Sequence, residues 1–333
     1  MRLLMMGTGP FAVPTFRWLL DSSHELAALV TRPVPPAKGR RKTPANPMQD
    51  LAQARGVKTL APTDVNAPEA RQQLAAMAAD LLVVCDYGQI LSAETLGVSS
   101  KGGINLHGSL LPAYRGAAPI PWAILNGERE TGVTVIHMTP RLDSGPCLVQ
   151  LATPIGDDED AVQLECRLAD LGIEAVGQAL PLLEAWDGQS PIGTAQDRSL
   201  ATRAPRLKKQ DGWVDWRRSA KQIRDQVRAL KPWPLTFTDW LRPGGTAMRL
   251  ILDRVQVLEG PVPEGAQAGQ IVQVEKDRVL VATGRHLLSL WQIQPAGKRT
   301  MTIDQFLRGH SMQAGQRLGG QPTESSPASS ASP

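Results

Sequence analysis

Through the first half of this chain, short apolar runs alternate with amphipathic stretches, and that alternation limits the folds open to it. RLLMMG (2–7) is an apolar run stopped by glycine, as a buried strand would be. FAVPTFRWLL (11–20) follows, with Phe11, Phe16, Leu19 and Leu20 near helical spacing. LAALVT (26–31) reads as a second strand and LAQARG (51–56) as helix. The segment from Ala70 onward passes from helix to strand near Leu81, and GGINLH (102–107) is another strand. TGVTVIHM (131–138) alternates as strands do, and 160–186 is one long amphipathic helix. Strand and helix in turn predict an α/β domain: a doubly wound, mostly parallel, Rossmann-like sheet over residues 1–189.

After Gln189 the pattern changes. Residues 190–207 are polar and carry prolines, which predicts a linker. SAKQIRDQVRAL (219–230) predicts one helix, and strand-like runs follow at 235–240, 248–258, 270–274, 278–282 and 287–293. Five short strands separated by turn residues predict a small OB-like β-barrel domain over 208–312. The Ser- and Pro-rich stretch 313–333 has too few apolar residues to order itself and reads as a disordered tail.

Charge separates the same halves. Residues 1–205 hold 17 Lys and Arg against 21 Asp and Glu, and residues 206–310 hold 18 against 10. A back half of net charge +8 behind a front half of −4 suits a polyanion such as nucleic acid, although a basic domain with no such partner has the same composition. The three cysteines, Cys85, Cys147 and Cys166, show no metal or redox spacing, and an odd number is poor material for a disulfide framework. A reducing cytoplasm and no metal are expected. The apolar start is broken early by Gly7, Gly9, Pro10 and Pro14, so it does not read as a signal peptide. No membrane span is expected, because no run of apolar residues is long enough.

Two stretches carry chemistry. In GTGPFA (7–12), Gly7, Gly9 and Ala12 fit the dinucleotide fingerprint between a strand and a helix. The next strand ends in Thr31 and Arg32 rather than the acidic residue that holds a ribose hydroxyl, and Arg32 would suit a 2′-phosphate. An NADP-dependent oxidoreductase and a plain tight glycine turn both stay open. The second stretch is INLHGSLLPAYRGAAP (104–119) together with RLDSGP (141–146). Asn105 and His107 share one face of a strand, where a core would ask for apolar residues. Asp143 lies just past the following strand, at an end where α/β sheets place their sites. These three suit acyl transfer to an amine: an amide for the oxyanion, an imidazole for the proton, a carboxylate for the imidazolium. The same residues would also serve as a satisfied core histidine and a helix-capping aspartate.

NLHGSLLPAYRGAAP followed by LDSG closely resembles the signature of the 10-formyltetrahydrofolate-dependent formyltransferases. GTGPFAVPTF, YGQIL (87–91) and the 215–234 segment extend the resemblance over about residues 1–310, toward the branch that formylates methionyl-initiator tRNA in translation initiation. By position the resemblance implies Asn105, His107 and Asp143 as catalytic residues. It implies a folate pocket lined by Ser109, Leu110, Leu111 and Pro112, with Tyr87, Gly88 and Ile90 on the pterin side. It also implies a tRNA-gripping loop carrying Lys38, Arg40, Arg41 and Lys42, with Lys208 and Lys209 in the basic half. The implied co-substrate is 10-formyltetrahydrofolate, and the implied partners are initiator methionyl-tRNA and folate, for a cytoplasmic monomer. Pro146 and Cys147 depart from the acidic residue usual after Gly145, and Cys147 reads as a small apolar filler. Related enzymes that formylate glycinamide ribonucleotide or an amino sugar nucleotide share the Asn-x-His and Asp pattern. A non-catalytic RNA-binding protein would explain the basic half but not the three polar residues.

Overall fold

A computed structural model describes residues 1–34, 46–242 and 244–319. The basic run at 38–42 and the tail from 320 lie outside the described residues. The chain divides into two compact units, one of Met1–Ile124 with Glu128–Arg206 and one of Leu125–Gly127 with Leu207 onward.

The first unit is built from β1 (Arg2–Met6), a 3-10 turn leading into α1 (Val13–Leu20), β2 (Glu25–Val30), α2 (Pro47–Ala54), β3 (Thr59–Leu60), α3 (Pro68–Ala75), β4 (Leu81–Cys85), α4 (Ala93–Leu96), β5 (Gly103–His107), α5 (Pro119–Leu125), β6 (Glu130–His137), β7 (Cys147–Pro154) and α6 (Ala161–Ala185). Its sheet runs β3-β2-β1-β4-β5-β6-β7. The first five strands are parallel, and β6 and β7 complete the sheet antiparallel. Every residue of β4 is buried, which explains its unbroken apolar sequence: helices cover both faces of a central parallel strand. β7 was not anticipated, because Gln150 and Thr153 interrupt its apolar run and its exposure alternates as at a sheet edge. α5 was hidden by Pro119 and Pro121, which a helix tolerates in its first turn.

α6 starts with a capping box between Asp160 and Gln163 and packs Leu164, Leu168, Ala175 and Leu183 onto the sheet. It approaches β5 so closely that a Cβ at Gly172 would lie 2.5 Å from Leu106 Cδ2. The sheet reverses its winding between β1 and β4, and a doubly wound sheet opens a crevice at the carboxyl ends of such strands.

The second unit contains α7 (Ala220–Ala229), β8 (Thr236–Leu241), β9 (Met248–Leu258), β10 (Ile271–Val274), β11 (Val279–Ala282), β12 (Leu287–Pro295), β13 (Met301–Thr302), α8 (Ile303–Leu307) and β14 (Arg317–Leu318). Its antiparallel sheet runs β10-β11-β12-β9-β8-β14. A bridge from Arg317 back to Gln270 brings the last strand to the first, giving a nearly closed OB-like barrel. Trp216, Ile223, Trp240, Leu250, Leu288 and Phe306 fill it.

Two boundaries differ from the expected ones. The tail was expected from 313, but Leu318 is buried in the barrel core and its amide donates to Gly269 O at 2.7 Å. One leucine among polar residues gives no periodic signal. Residues 190–206, expected to be linker, belong to the first unit: Thr194 pairs with Cys147 and Arg203 with Arg115.

Candidate active site

β5 carries Asn105 and His107 on one face, between β4, where Val84 pairs with Asn105, and β6, where Thr134 pairs with His107. Beyond β5 the chain turns through Tyr114, and beyond β6 through Asp143. Both are non-glycine residues in left-handed backbone, at φ 62° and 46°. Such conformations persist only where the surroundings impose them. The two turns bring Asp143 to the strand. One carboxylate oxygen accepts from Asn105 Nδ2 at 3.4 Å and the other from the Gly116 amide at 2.9 Å. That second oxygen also lies 3.8 Å from His107 Nδ1.

His107 Nε2 is 2.9 Å from Tyr114 O. A carbonyl oxygen can only accept, so Nε2 donates the hydrogen. In the neutral ring, Nδ1 then bears the lone pair and faces the Asp143 carboxylate. At 3.8 Å the pair is too long for a hydrogen bond but close enough to attract an imidazolium once Nδ1 takes a proton. Orientation of the ring is therefore supplied by the Tyr114 carbonyl, and Asp143 is left to pair the imidazolium. His107 and Asp143 are both buried, so water screens their interaction poorly.

The three side chains line a cleft of about 580 Å³ whose walls also include Asp86, Tyr87 and Ile90. Of the expected folate residues, Tyr87, Gly88 and Ile90 are on this wall. The Tyr87 hydroxyl is buried with no hydrogen-bond partner among the described residues, and burial raises its ionisation well above the ordinary phenol range. Ile90 is 60% exposed at the opening. Ser109, Leu110, Leu111 and Pro112 do not line the cleft. They are stitched to β6 instead: Thr134 Oγ donates to Ser109 O at 2.6 Å and accepts from the Leu111 amide at 3.1 Å. Ser109 Oγ donates to Ala113 O at 2.7 Å, which spends its hydroxyl within the turn. Lys208 and Lys209 are exposed in the second unit, at the short turn Lys209–Gly212.

The leading amides of the glycine motif are satisfied from within. The Gly7 amide donates to Val30 O at 3.0 Å, and the Thr8 and Gly9 amides both donate to Asp86 O, at 3.0 and 3.3 Å. The Gly7, Thr8 and Gly9 amides are thereby spent and Pro10 has none to offer, so the motif serves as a tight strand-to-helix turn. A Cβ at Gly9 would fall 1.7 Å from Asp86 Oδ2, which gives this glycine a local reason. Burial raises the Cys147 thiol, countered by the charge of Arg115, and a thiol held protonated is a poor nucleophile.

Sequence reasoning missed Asp86, Glu165 and Gln196. Asp86 ends the LLVVC run at the carboxyl end of a central strand, at φ 47°. That placement is the signal used for Asp143, and applied evenly it would have found both. Asp86 opens onto the cleft, yet the walls thin its hydration: burial, then the charge of Glu165, raises its carboxyl to about 7. Gln196 donates from Nε2 to Asp143 O at 2.9 Å and to Gly145 O at 2.7 Å. Among the described residues, no group of three or more His, Cys, Asp or Glu is placed to share a metal ion, and no helix is long and apolar enough to cross a membrane.

Residues 1–180 match the family described as formyl transferase, and residues 206–311 match the formyl transferase C-terminal domain. The chain is 42% identical over 326 residues to a methionyl-tRNA formyltransferase of Rhodopirellula baltica, covering 96% of each. It is likewise 42% identical over 319 residues to the protein of that name from Methylococcus capsulatus, covering 96% of this chain and all of the relative. Among solved structures, an N-formyltransferase of Helicobacter canadensis in complex with folinic acid and dTDP-3-aminofucose superposes with a TM-score of 0.63 at 15% identity, over 86% of this chain and 97% of that one. HypX of Aquifex aeolicus in complex with tetrahydrofolic acid superposes at 0.58 and 16% identity, over 92% of this chain and 47% of that one. At such identities the two structures speak for the fold alone.

Proposed function

The chain belongs to the formyl transferase family, and from that premise we propose that it transfers the formyl group of 10-formyltetrahydrofolate to the α-amine of methionine esterified to initiator tRNA. The observation that carries the chemistry is the meeting of Asn105 and His107 at the Asp143 carboxylate, at 3.4 and 3.8 Å, on the wall of one cleft.

Each residue has a role its geometry suits. Asn105 spends one amide hydrogen on Asp143 and keeps the other for the oxygen of the formyl carbon as it gains charge, a donor worth about 2.7–4 kcal/mol. His107, held by Tyr114 O, offers the Nδ1 lone pair to the proton that leaves the attacking amine. The imidazolium then pairs with Asp143, and its proton passes to the departing folate nitrogen. The formyl carbon goes directly from nitrogen to nitrogen, so no serine or cysteine nucleophile is called for. Tyr87, Gly88 and Ile90 support a folate ring in the cleft. Ser109–Pro112 support it indirectly, by fixing the turn that follows His107. The basic second unit with Lys208 and Lys209, and the basic run Lys38, Arg40, Arg41 and Lys42, grip tRNA mainly through phosphates. The enzyme acts in the cytoplasm as a monomer.

A labelled formyl donor offered with charged initiator tRNA, glycinamide ribonucleotide and an amino sugar nucleotide tests this reading. Label is expected on the methionyl-tRNA alone. Transfer to either small amine, with none to the tRNA, would reject the acceptor.

A further inference from the structure

Residues 194–204 carry neither an apolar stripe nor a charge run, yet they touch both turns of the site. Gln196 stands at the centre. Its amide nitrogen donates to Asp143 O and Gly145 O, at 2.9 and 2.7 Å. Its amide oxygen accepts from Arg115 Nε at 3.1 Å and from the terminal guanidinium nitrogen at 2.6 Å. One side chain thus bolts the turn after β5 to the turn after β6. Further along, Thr202 Oγ accepts from the Tyr114 amide at 2.8 Å, and Thr202 O accepts from the Arg115 amide at 2.9 Å. The Ala204 amide returns a bond to Arg115 O at 2.7 Å. At the near end, Thr194 and Cys147 exchange both backbone bonds at 2.8 Å.

The residues so held are the strained ones. Tyr114, whose carbonyl fixes the His107 ring, and Asp143 both sit in left-handed backbone without being glycine. Neither turn belongs to a strand or helix at those positions, so no ladder keeps either residue there. Apart from the Arg115 guanidinium, which does not line the cleft, the contacts fall on the backbone of the two turns.

We propose that residues 194–204 are a strap that sets the catalytic geometry, with Gln196 a positioning residue that holds the Asp143 turn against the Tyr114–Gly116 turn. The inference rests on the reading of Asn105, His107 and Asp143 as the catalytic residues. Gln196 touches no reacting atom. It acts through Asp143, whose distance from His107 decides how well the imidazolium is paired. A displacement of about 1 Å at such a contact costs on the order of a hundredfold in rate.

Two substitutions separate positioning from plain support. Gln196→Met keeps length and loses all four bonds. Gln196→Glu keeps an acceptor for Arg115 and loses both donations to the Asp143 turn. Both are expected to lower kcat per folded molecule by about ten- to a hundredfold, with KM for the formyl donor and for charged tRNA changed less than about twofold. A merely structural strap would instead lower the melting temperature and the folded fraction while leaving kcat per folded molecule intact, and that result overturns the proposal. Wild-type kcat in Gln196→Glu overturns it as well, even where Gln196→Met fails to fold. Asp143→Asn is measured alongside. If it is inactive while the Gln196 variants turn over normally, the strap alone is refuted. If it is fully active, the catalytic reading fails and the strap falls with it.

Discussion

The glycine turn at 7–12 follows a parallel strand of the same sheet whose strands β5 and β6 lead into the site's two turns, yet they have opposite economies of hydrogen bonding. In the first, the Gly7, Thr8 and Gly9 amides all find backbone oxygens of Val30 and Asp86. In the second, Asn105 keeps an amide hydrogen in hand and the Nδ1 of His107 sits 3.8 Å from Asp143, short of a hydrogen bond. Both match a known motif by spacing. A motif becomes a site only when its polar groups are left unspent and open on a cleft, and spacing alone does not report that.

The largest effect expected from this contrast is at His107. His107→Ala should keep the folded state and lose about 10²- to 10⁴-fold in turnover, measured as formyl transfer to charged tRNA with the circular dichroism spectrum unchanged. Near-normal turnover would put the unspent groups elsewhere. Asn105→Ala should follow with a loss of about 10²- to 10³-fold in kcat and little change in KM, since its donor acts as the oxyanion forms. A loss confined to KM would make Asn105 a binding group only.

The difference between the two motifs also explains what could be read from the chain. Asn105 and His107 stood out because a strand that buries Ile104 and Leu106 on one face has no core reason for polar residues on the other. Asp143 stood out by its place past a strand. The sheet and barrel followed from apolar runs whose period matches their elements. What stayed hidden is tertiary. Gln196 meets Asp143 and Gly145, 53 and 51 residues away in sequence, through bonds that leave no periodic trace. Leu318 enters the barrel core from a polar segment. Ser109–Pro112 were assigned to the folate wall by position, but Thr134 ties that turn to β6, and the short stretch itself does not name its partner strand. Asp86 was passed over because an apolar run draws the eye to its strand and away from the residue that ends it.

A smaller effect is expected at Gly9, whose backbone is extended and would accept any side chain. Gly9→Ala should destabilise the protein by about 1–3 kcal/mol, because its methyl group must displace the Asp86 carboxylate. Gly9→Ala/Asp86→Ala should recover most of that loss in denaturant melts. If the double variant is no more stable than Gly9→Ala, the glycine is required for something other than room for Asp86.

The smallest effect distinguishes the two turns by pH. The Asp86 carboxyl is raised to about 7 because the cleft walls thin its hydration and Glu165 adds like charge. The folded protein therefore holds a proton that the unfolded chain has already released between about pH 4 and 7. Stability falls as pH climbs through that window, by an amount that solvent at the exposed Asp86 reduces, and the deficit is complete above it. Asp86→Asn keeps the shape and removes the charge, so it should raise the melting temperature at about pH 8 and leave it almost unchanged near pH 3.5. Glu165→Gln should produce a smaller rise of the same sign, since Glu165 is itself raised by burial and contributes part of the shift at Asp86. An Asp86→Asn gain of equal size at both pH values would mean that the carboxylate is freely hydrated in the cleft. The crevice end of β4 would then be an ordinary solvated turn, and the unspent groups of the cleft would be those of β5 and the Asp143 turn alone.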